Sequence, residues 1–258
     1  MLLANDTAEV RIDLKNGGRL SSLRIDGAEI LVTAAERSTD WGSYPMAPWA
    51  GRVRDGRFEW SGTLQKLPLN APPHALHGTV FDAEWTQVSA NALRTKLGAN
   101  WPWTGEVQST FELTDQALEW RLEVHAEREA FPVVLGWHPW FRRQIGGGEE
   151  LRLLFDAEEM YVRDESGIPT GALCAPTAGP WDDCFRGVRQ APLLSWPDRL
   201  QIRLQSSCDH WVVYSQPSHA VCVEPQSAPP DAFNVGGFEV AEPGRPVVHH
   251  FRMEWERL

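Results

Sequence analysis

Apolar and polar residues alternate along most of this chain with a period of two, the pattern of strands that bury one face. Ala8 to Leu14 alternates, Asn16-Gly17-Gly18 turns, and Arg19 to Ile25 returns. Asp26-Gly27 is a hairpin signal ahead of Glu29 to Val32. Arg57 to Trp60 and Thr63 to Leu67 flank a Ser61-Gly62 turn. Val107 to Leu113 runs through Asp115-Gln116 into a segment whose Leu118, Trp120, Leu122, Val124 and Ala126 share a face. Further strands are predicted at Leu151 to Phe155, Leu200 to Leu204, Trp211 to Ser215, Ala220 to Val223 and Val247 to Trp255. No long apolar stripe has the helical period, so helix is expected only as a turn or two near Leu31 to Glu36. Ser38 to Gly51, Leu67 to His77 and Ser166 to Pro180 read as loops, and none as a linker. Many strands at short spacing predict an all-β fold, a large antiparallel sandwich or barrel, with residues 1–258 as a single domain.

Composition narrows the partners. Of 258 residues, 42% are hydrophobic and 23% charged, which is enough apolar material for a core and argues against disorder. The net charge of −11 repels nucleic acid and anionic membranes, so neither is an expected partner. The first charge, Asp6, arrives too early for a secretory hydrophobic segment, and no apolar run is long enough to span a bilayer. The four cysteines, Cys174, Cys184, Cys208 and Cys222, lack C-x-x-C spacing and read as reduced thiols of a cytoplasmic protein, not as a disulfide frame or zinc site. Tryptophan, with 13 residues, is the outlier. Most should be core, but Trp also stacks on the C–H faces of sugars, and Trp41, Trp49, Trp137 and Trp140 lie near polar motifs.

Two stretches carry candidate chemistry. In Val221-Cys222-Val223-Glu224-Pro225-Gln226 an apolar run ends in one acid, followed by a proline-rich loop. Glu224 is either an ordinary strand-end glutamate or a fixed, partly desolvated base. In Gly136-Trp137-His138-Pro139-Trp140-Phe141 a lone histidine follows an apolar strand between aromatics. A Glu and a His converging from two strand ends would make a base and an acid. Arg52, His77 and Asp182 stand in Gly51-Arg52-Val53, His74-Ala75-Leu76-His77-Gly78 and Trp181-Asp182-Asp183-Cys184-Phe185, where each taken alone reads more readily as a solvated or turn residue than as a functional one. A cupin-like metal set of His74, His77 and Glu224 is the competing reading. His74 sits in a loop after Pro72-Pro73, and His249-His250 must face opposite ways on a strand, so no metal is expected.

Together these motifs resemble the aldose 1-epimerase (galactose mutarotase) family. The resemblance runs in order through Gly51-Arg52-Val53, Gly56-Arg57-Phe58, Leu76-His77-Gly78 with Phe81 and Trp85, His138-Pro139-Trp140-Phe141, Asp182 to Phe185, and Glu224-Pro225-Gln226 with Pro230-Asp231-Ala232 and Asn234. It implies a large antiparallel β-sandwich, the galactose mutarotase-like supersandwich, with a sugar cleft. It further implies that His138 is the general acid, that Glu224 is the general base, and that Arg52, His77 and Asp182 hold sugar hydroxyls. An aldose is the implied partner, to a monomer or homodimer, with no cofactor. Mutarotation suits that set: a base takes the anomeric hydroxyl proton while an acid protonates the ring oxygen. For this, His138 should titrate near its ordinary value and Glu224 should stay ionised. The chain departs from the family at Gly51, where Asn is common, at Thr79, where Gly is common, at Arg142-Arg143, where Asn-Leu is common, and in being shorter. The basic pair leaves hexose-6-phosphate mutarotase as an alternative, a non-catalytic carbohydrate-binding sandwich is a second, and a cupin-type metalloenzyme a third.

Overall fold

The computed structural model describes residues 1–258. Two large antiparallel sheets dominate it. The first has eleven strands, in the spatial order Leu2–Ala4, Ala8–Asp13, Arg19–Ile25, Ser43–Met46, Gly136–Arg142, Ala220–Gln226, His210–Tyr214, Asp182–Val188, Ala157–Arg163 and Pro169–Cys174, with Ala28–Glu29 attached to Arg19–Ile25. The second has eight, in the order Thr86–Ser89, Ala92–Lys96, Gly105–Leu113, Ala117–Ala126, Val247–Arg257, Leu200–Ser206, Leu193–Trp196 and Arg152–Leu154. Helix is limited to a four-residue turn, Ala232–Val235, and a three-residue 3₁₀ turn, Arg54–Gly56. The expected sandwich is present.

Strand alternation explains why these segments pair as they do. On Gly136–Arg142, Trp137 is fully buried and meets Trp120 and Phe251 of the second sheet at ring distances of 6.2 and 5.7 Å. Odd positions therefore fill the space between the sheets, and His138 and Trp140 must face the other way. The same alternation sends Val221 and Val223 inward and turns Cys222, Glu224 and Gln226 outward, beside the residues of Gly136–Arg142. One continuous cluster of 62 buried apolar residues supports both sheets. Inside it the Trp120 indole N–H donates to Ser109 Oγ at 3.1 Å, so that large side chain leaves no donor unpaired.

Several expectations change. Leu31 to Glu36 forms no helix. Leu31 bridges Phe141 and the Val32 amide donates to the Trp140 carbonyl, so the segment is drawn out along the sheet. The presumed loop Ser38 to Gly51 contains Ser43–Met46, a fully buried strand whose lack of alternation hid it, and Ser166 to Pro180 contains Pro169–Cys174. Glu224 and His138 do not stand at strand ends. Both strands continue past them, to Gln226 and Arg142, so both side chains rise from the middle of the sheet.

Candidate active site

The outward face of the eleven-stranded sheet carries a cleft of about 920 Å³, counting open solvent at its mouth. His138 and Glu224 lie at its floor, on neighbouring strands. Nε2 of His138 is 3.3 Å from Oε1 of Glu224, and both side chains are buried. The His138 ring is sandwiched between Tyr44, with centroids 4.8 Å apart, and Trp140, at 5.4 Å and nearly parallel. Its Nδ1 has no hydrogen-bond partner in the protein, so stacking holds the ring. Tyr44 is itself fixed, because its hydroxyl donates to the Thr39 carbonyl at 3.0 Å. Behind Tyr44 the buried Arg19 donates to the carbonyls of Asn16, Ser38, Trp41 and Phe81, and its guanidinium stacks on Trp41.

Arg52 and His77 reach the cleft from a two-strand ladder, Arg52–Val53 with Ala75–Leu76. Both flanking glycines are structural requirements. Gly51 has φ +68°, and a Cβ there would stand 2.6 Å from the Pro230 side chain. Gly78 has φ +83°, and a Cβ would stand 2.0 Å from the Ala47 carbonyl oxygen. Asn tolerates the left-handed φ of Gly51, but the Pro230 side chain leaves no room here for a Cβ, so this departure from the family pattern is matched to the neighbouring loop. The loop is braced from the far motif: the Asp231 amide donates to the Arg52 carbonyl, and Asp231 Oδ1 accepts from the Arg54 amide and from Asn234 Nδ2. His77 meets His138 edge-on, with centroids 5.1 Å apart. Asp182 lines the opposite wall, where its Oδ2 accepts from Arg163 at 3.3 Å.

The five candidate residues therefore come together in one cleft. Of the four tryptophans singled out, only Trp140 lines it. Trp137 and Trp49 are core, and Trp41 stacks under Arg19. Arg142 and Arg143 do not reach it either. Arg142 donates to the Leu31 carbonyl, and Arg143 to those of Pro217 and Ser215, away from the cleft. The set of His74, His77 and Glu224 is not assembled, since His74 Nδ1 accepts from the Asp55 amide. A different trio, His138, Cys222 and Glu224, brings three ligand atoms within 4.8 Å of one another. Several lining residues had no role in the sequence reading, among them Arg37 and Asp40, Arg163, which no local pattern marks, and Gln226, quoted only within its motif. Gln226 Nε2 donates to Glu224 Oε2 at 3.2 Å, and its position two residues on, on the same face, was the available signal.

Burial sets the electrostatics. It pushes the Glu224 carboxyl well above its ordinary value, and the nearby Asp182 carboxylate adds to this, while Gln226 and Arg52 partly oppose it. Burial pushes His138 down to about 3 and His77 well below its ordinary value. The expectation that His138 titrates near its ordinary value and Glu224 stays ionised is thus corrected for the free cleft, where desolvation favours both neutral forms. A neutral pair and an ion pair hold the same number of protons. Moving one proton from either group to the other would leave the net charge unchanged.

Glu224 has a raised value in the folded state, so its contribution to stability is full below its unfolded value and is lost as pH rises through the folded one. His138 has a lowered value, so it matters only as pH falls below its ordinary one. Thermal melting of Glu224→Gln against the native protein should therefore show a Tm difference that grows in favour of the variant as pH rises above the ordinary carboxyl range. A difference independent of pH would contradict the burial argument.

The chain matches the model of the aldose 1-epimerase family over residues 2–254 and belongs to that family. Escherichia coli (strain K12) YphB, an uncharacterized protein, is 33% identical over 113 residues, a segment covering 40% of this chain and 38% of that protein. Among solved structures, a putative aldose 1-epimerase from Escherichia coli K12 superposes with a TM-score of 0.86 at 21% identity, covering 100% of this chain and 98% of that one. A galactose mutarotase-like protein from Clostridium acetobutylicum gives 0.89 at 18% identity, covering 100% and 95%. At those identities the two structures bear on the fold alone. No helix of this chain is long and apolar enough to cross a membrane.

Proposed function

We propose that this protein is a cofactor-independent aldose 1-epimerase that interconverts the α and β anomers of a free aldose. The observation that carries the reading is the buried 3.3 Å contact between His138 Nε2 and Glu224 Oε1 at the floor of an open cleft. Binding a sugar needs no such pair; ring opening does. In the ion-pair form Glu224 takes the proton of the anomeric hydroxyl and His138 delivers its proton to the ring oxygen. The ring opens, C1–C2 rotates, and the same two groups in exchanged roles close it on the other face. Arg52 offers paired donors to vicinal hydroxyls, Asp182 offers acceptors, and His77 presents a buried Nδ1 without a protein partner. Residues 1–258 act as one unit in this reading, as a monomer or homodimer. The four unpaired cysteines suit the cytoplasm.

Cleft charge favours a neutral substrate. Its arginines, Arg37, Arg52 and Arg163, are balanced by Asp40, Asp182 and Asp183. Arg37 is paired with Asp40, and Arg163 with both other aspartates. Only Arg52 lacks a carboxylate partner, and no bidentate arginine clamp for a phosphate is formed. A mutarotation panel over glucose, galactose and their 6-phosphates tests this. Free aldoses should be preferred by about tenfold or more in kcat/KM, a difference of about 1.4 kcal/mol. Arg142→Ala and Arg143→Ala should leave that ratio unchanged. A preference for the phosphates, lost in either arginine variant, would favour the sugar-phosphate reading.

A further inference from the structure

Cys222 and Glu224 are two residues apart on one strand, so their side chains share a face. His138 stands on the neighbouring strand, between the Gly136/Gln226 and Trp140/Cys222 pairs. An imidazole nitrogen, a thiol sulfur and a carboxylate oxygen thereby lie within 4.8 Å of one another, and all three residues are buried. Ligand atoms bound at about 2.0–2.3 Å to a tetrahedral zinc ion stand about 3.3–3.8 Å apart. The Nε2–Oε1 edge, at 3.3 Å, already has that spacing. With all three ligand atoms within 4.8 Å, no edge of the trio needs to close by more than about 1.5 Å. Two of the three residues, His138 and Glu224, line the cleft, so an ion among them would keep an open position for water. Three protein ligands with one open position is a common zinc arrangement, and the thiolate and imidazole select zinc or cobalt over magnesium or calcium.

We propose that the cleft floor is an inhibitory site for a zinc-like divalent cation, held by His138 Nε2, Cys222 Sγ and a Glu224 carboxylate oxygen. Inhibition rests on the epimerase reading, because the ion would occupy the two atoms that pass the sugar's protons; binding itself does not. As the metal binds, the thiol proton and the proton held by the His138–Glu224 pair both leave to solvent water, and nothing is oxidised or reduced.

Cobalt titration of the purified full chain tests the site without reference to activity. The native protein should take up one equivalent and develop a thiolate-to-cobalt charge-transfer band, which zinc then abolishes. Cys222→Ser and Cys222→Ala should lack the band, and Cys184→Ser should keep it. In the mutarotation assay zinc should inhibit, a chelator should restore turnover, and Cys222→Ser should need at least tenfold more zinc for the same inhibition. No band in the native protein at millimolar cobalt, or a band that survives both Cys222 variants, overturns the site. A normal band in a protein that never turns over sugar upholds the site and removes the epimerase reading instead.

Discussion

Glu224→Gln is expected to lower kcat for mutarotation by about a hundredfold or more, equivalent to about 2.7 kcal/mol of transition-state stabilisation. The amide keeps the shape of the carboxyl. It retains an oxygen that can accept from Gln226 Nε2, which lies 3.2 Å from Oε2 in the native side chain. What it loses is the capacity to take the anomeric proton. Removing a buried ionisable group should not weaken the fold, so circular dichroism should match the native protein and KM should change less than kcat. Turnover close to native in a folded Glu224→Gln protein would remove Glu224 from the base role.

His138→Asn should cause a loss of similar size, about a hundredfold in kcat, because it removes the group that protonates the ring oxygen. Sugar binding should survive, since Arg52, His77 and Asp182 are carried on other strands and loops. Calorimetric titration with galactose would show it. The pH profile is the sharper readout. In the native enzyme the acidic limb reports a second proton entering the pair, which the depressed His138 value of about 3 keeps at low pH. The basic limb reports loss of the shared proton, delayed by the raised Glu224 value. The native profile should therefore be a broad plateau across neutral pH. A residually active His138→Asn protein with the same two limbs would mean that another group supplies the proton.

The sequence made the fold class and the five cleft residues readable for different reasons. Half-exposed strands such as Ala8–Asp13 and Gly105–Leu113 alternate cleanly, and their burial follows suit. Strands covered on both faces do not alternate. Ser43–Met46 is buried throughout, and so is Ala220–Gln226, whose predicted end at Val223 fell three residues short. That shortfall placed Glu224 at a strand end and hid its burial, and with it the direction in which its carboxyl shifts. Motif order brought Arg52, His77, His138, Asp182 and Glu224 into one cleft. It carried no information about side-chain direction at Arg142 and Arg143, which depends on carbonyls of Leu31, Ser215 and Pro217 far away in the chain. Arg163 was invisible for the same reason. Its role comes from pairing across the sheet with Asp182 and Asp183, contacts that no local pattern encodes.

Epimerisation in this cleft means opening and reclosing a sugar ring. Polarimetry on freshly dissolved α-galactose and α-glucose, followed with increasing amounts of the native protein, tests it most directly. Rotation should decay toward its equilibrium value at a rate that rises in proportion to enzyme concentration for at least one of the two sugars, with an unchanged end point. Decay no faster than in buffer alone for both sugars, with folded protein that still binds them, would contradict it and leave a carbohydrate-binding sandwich.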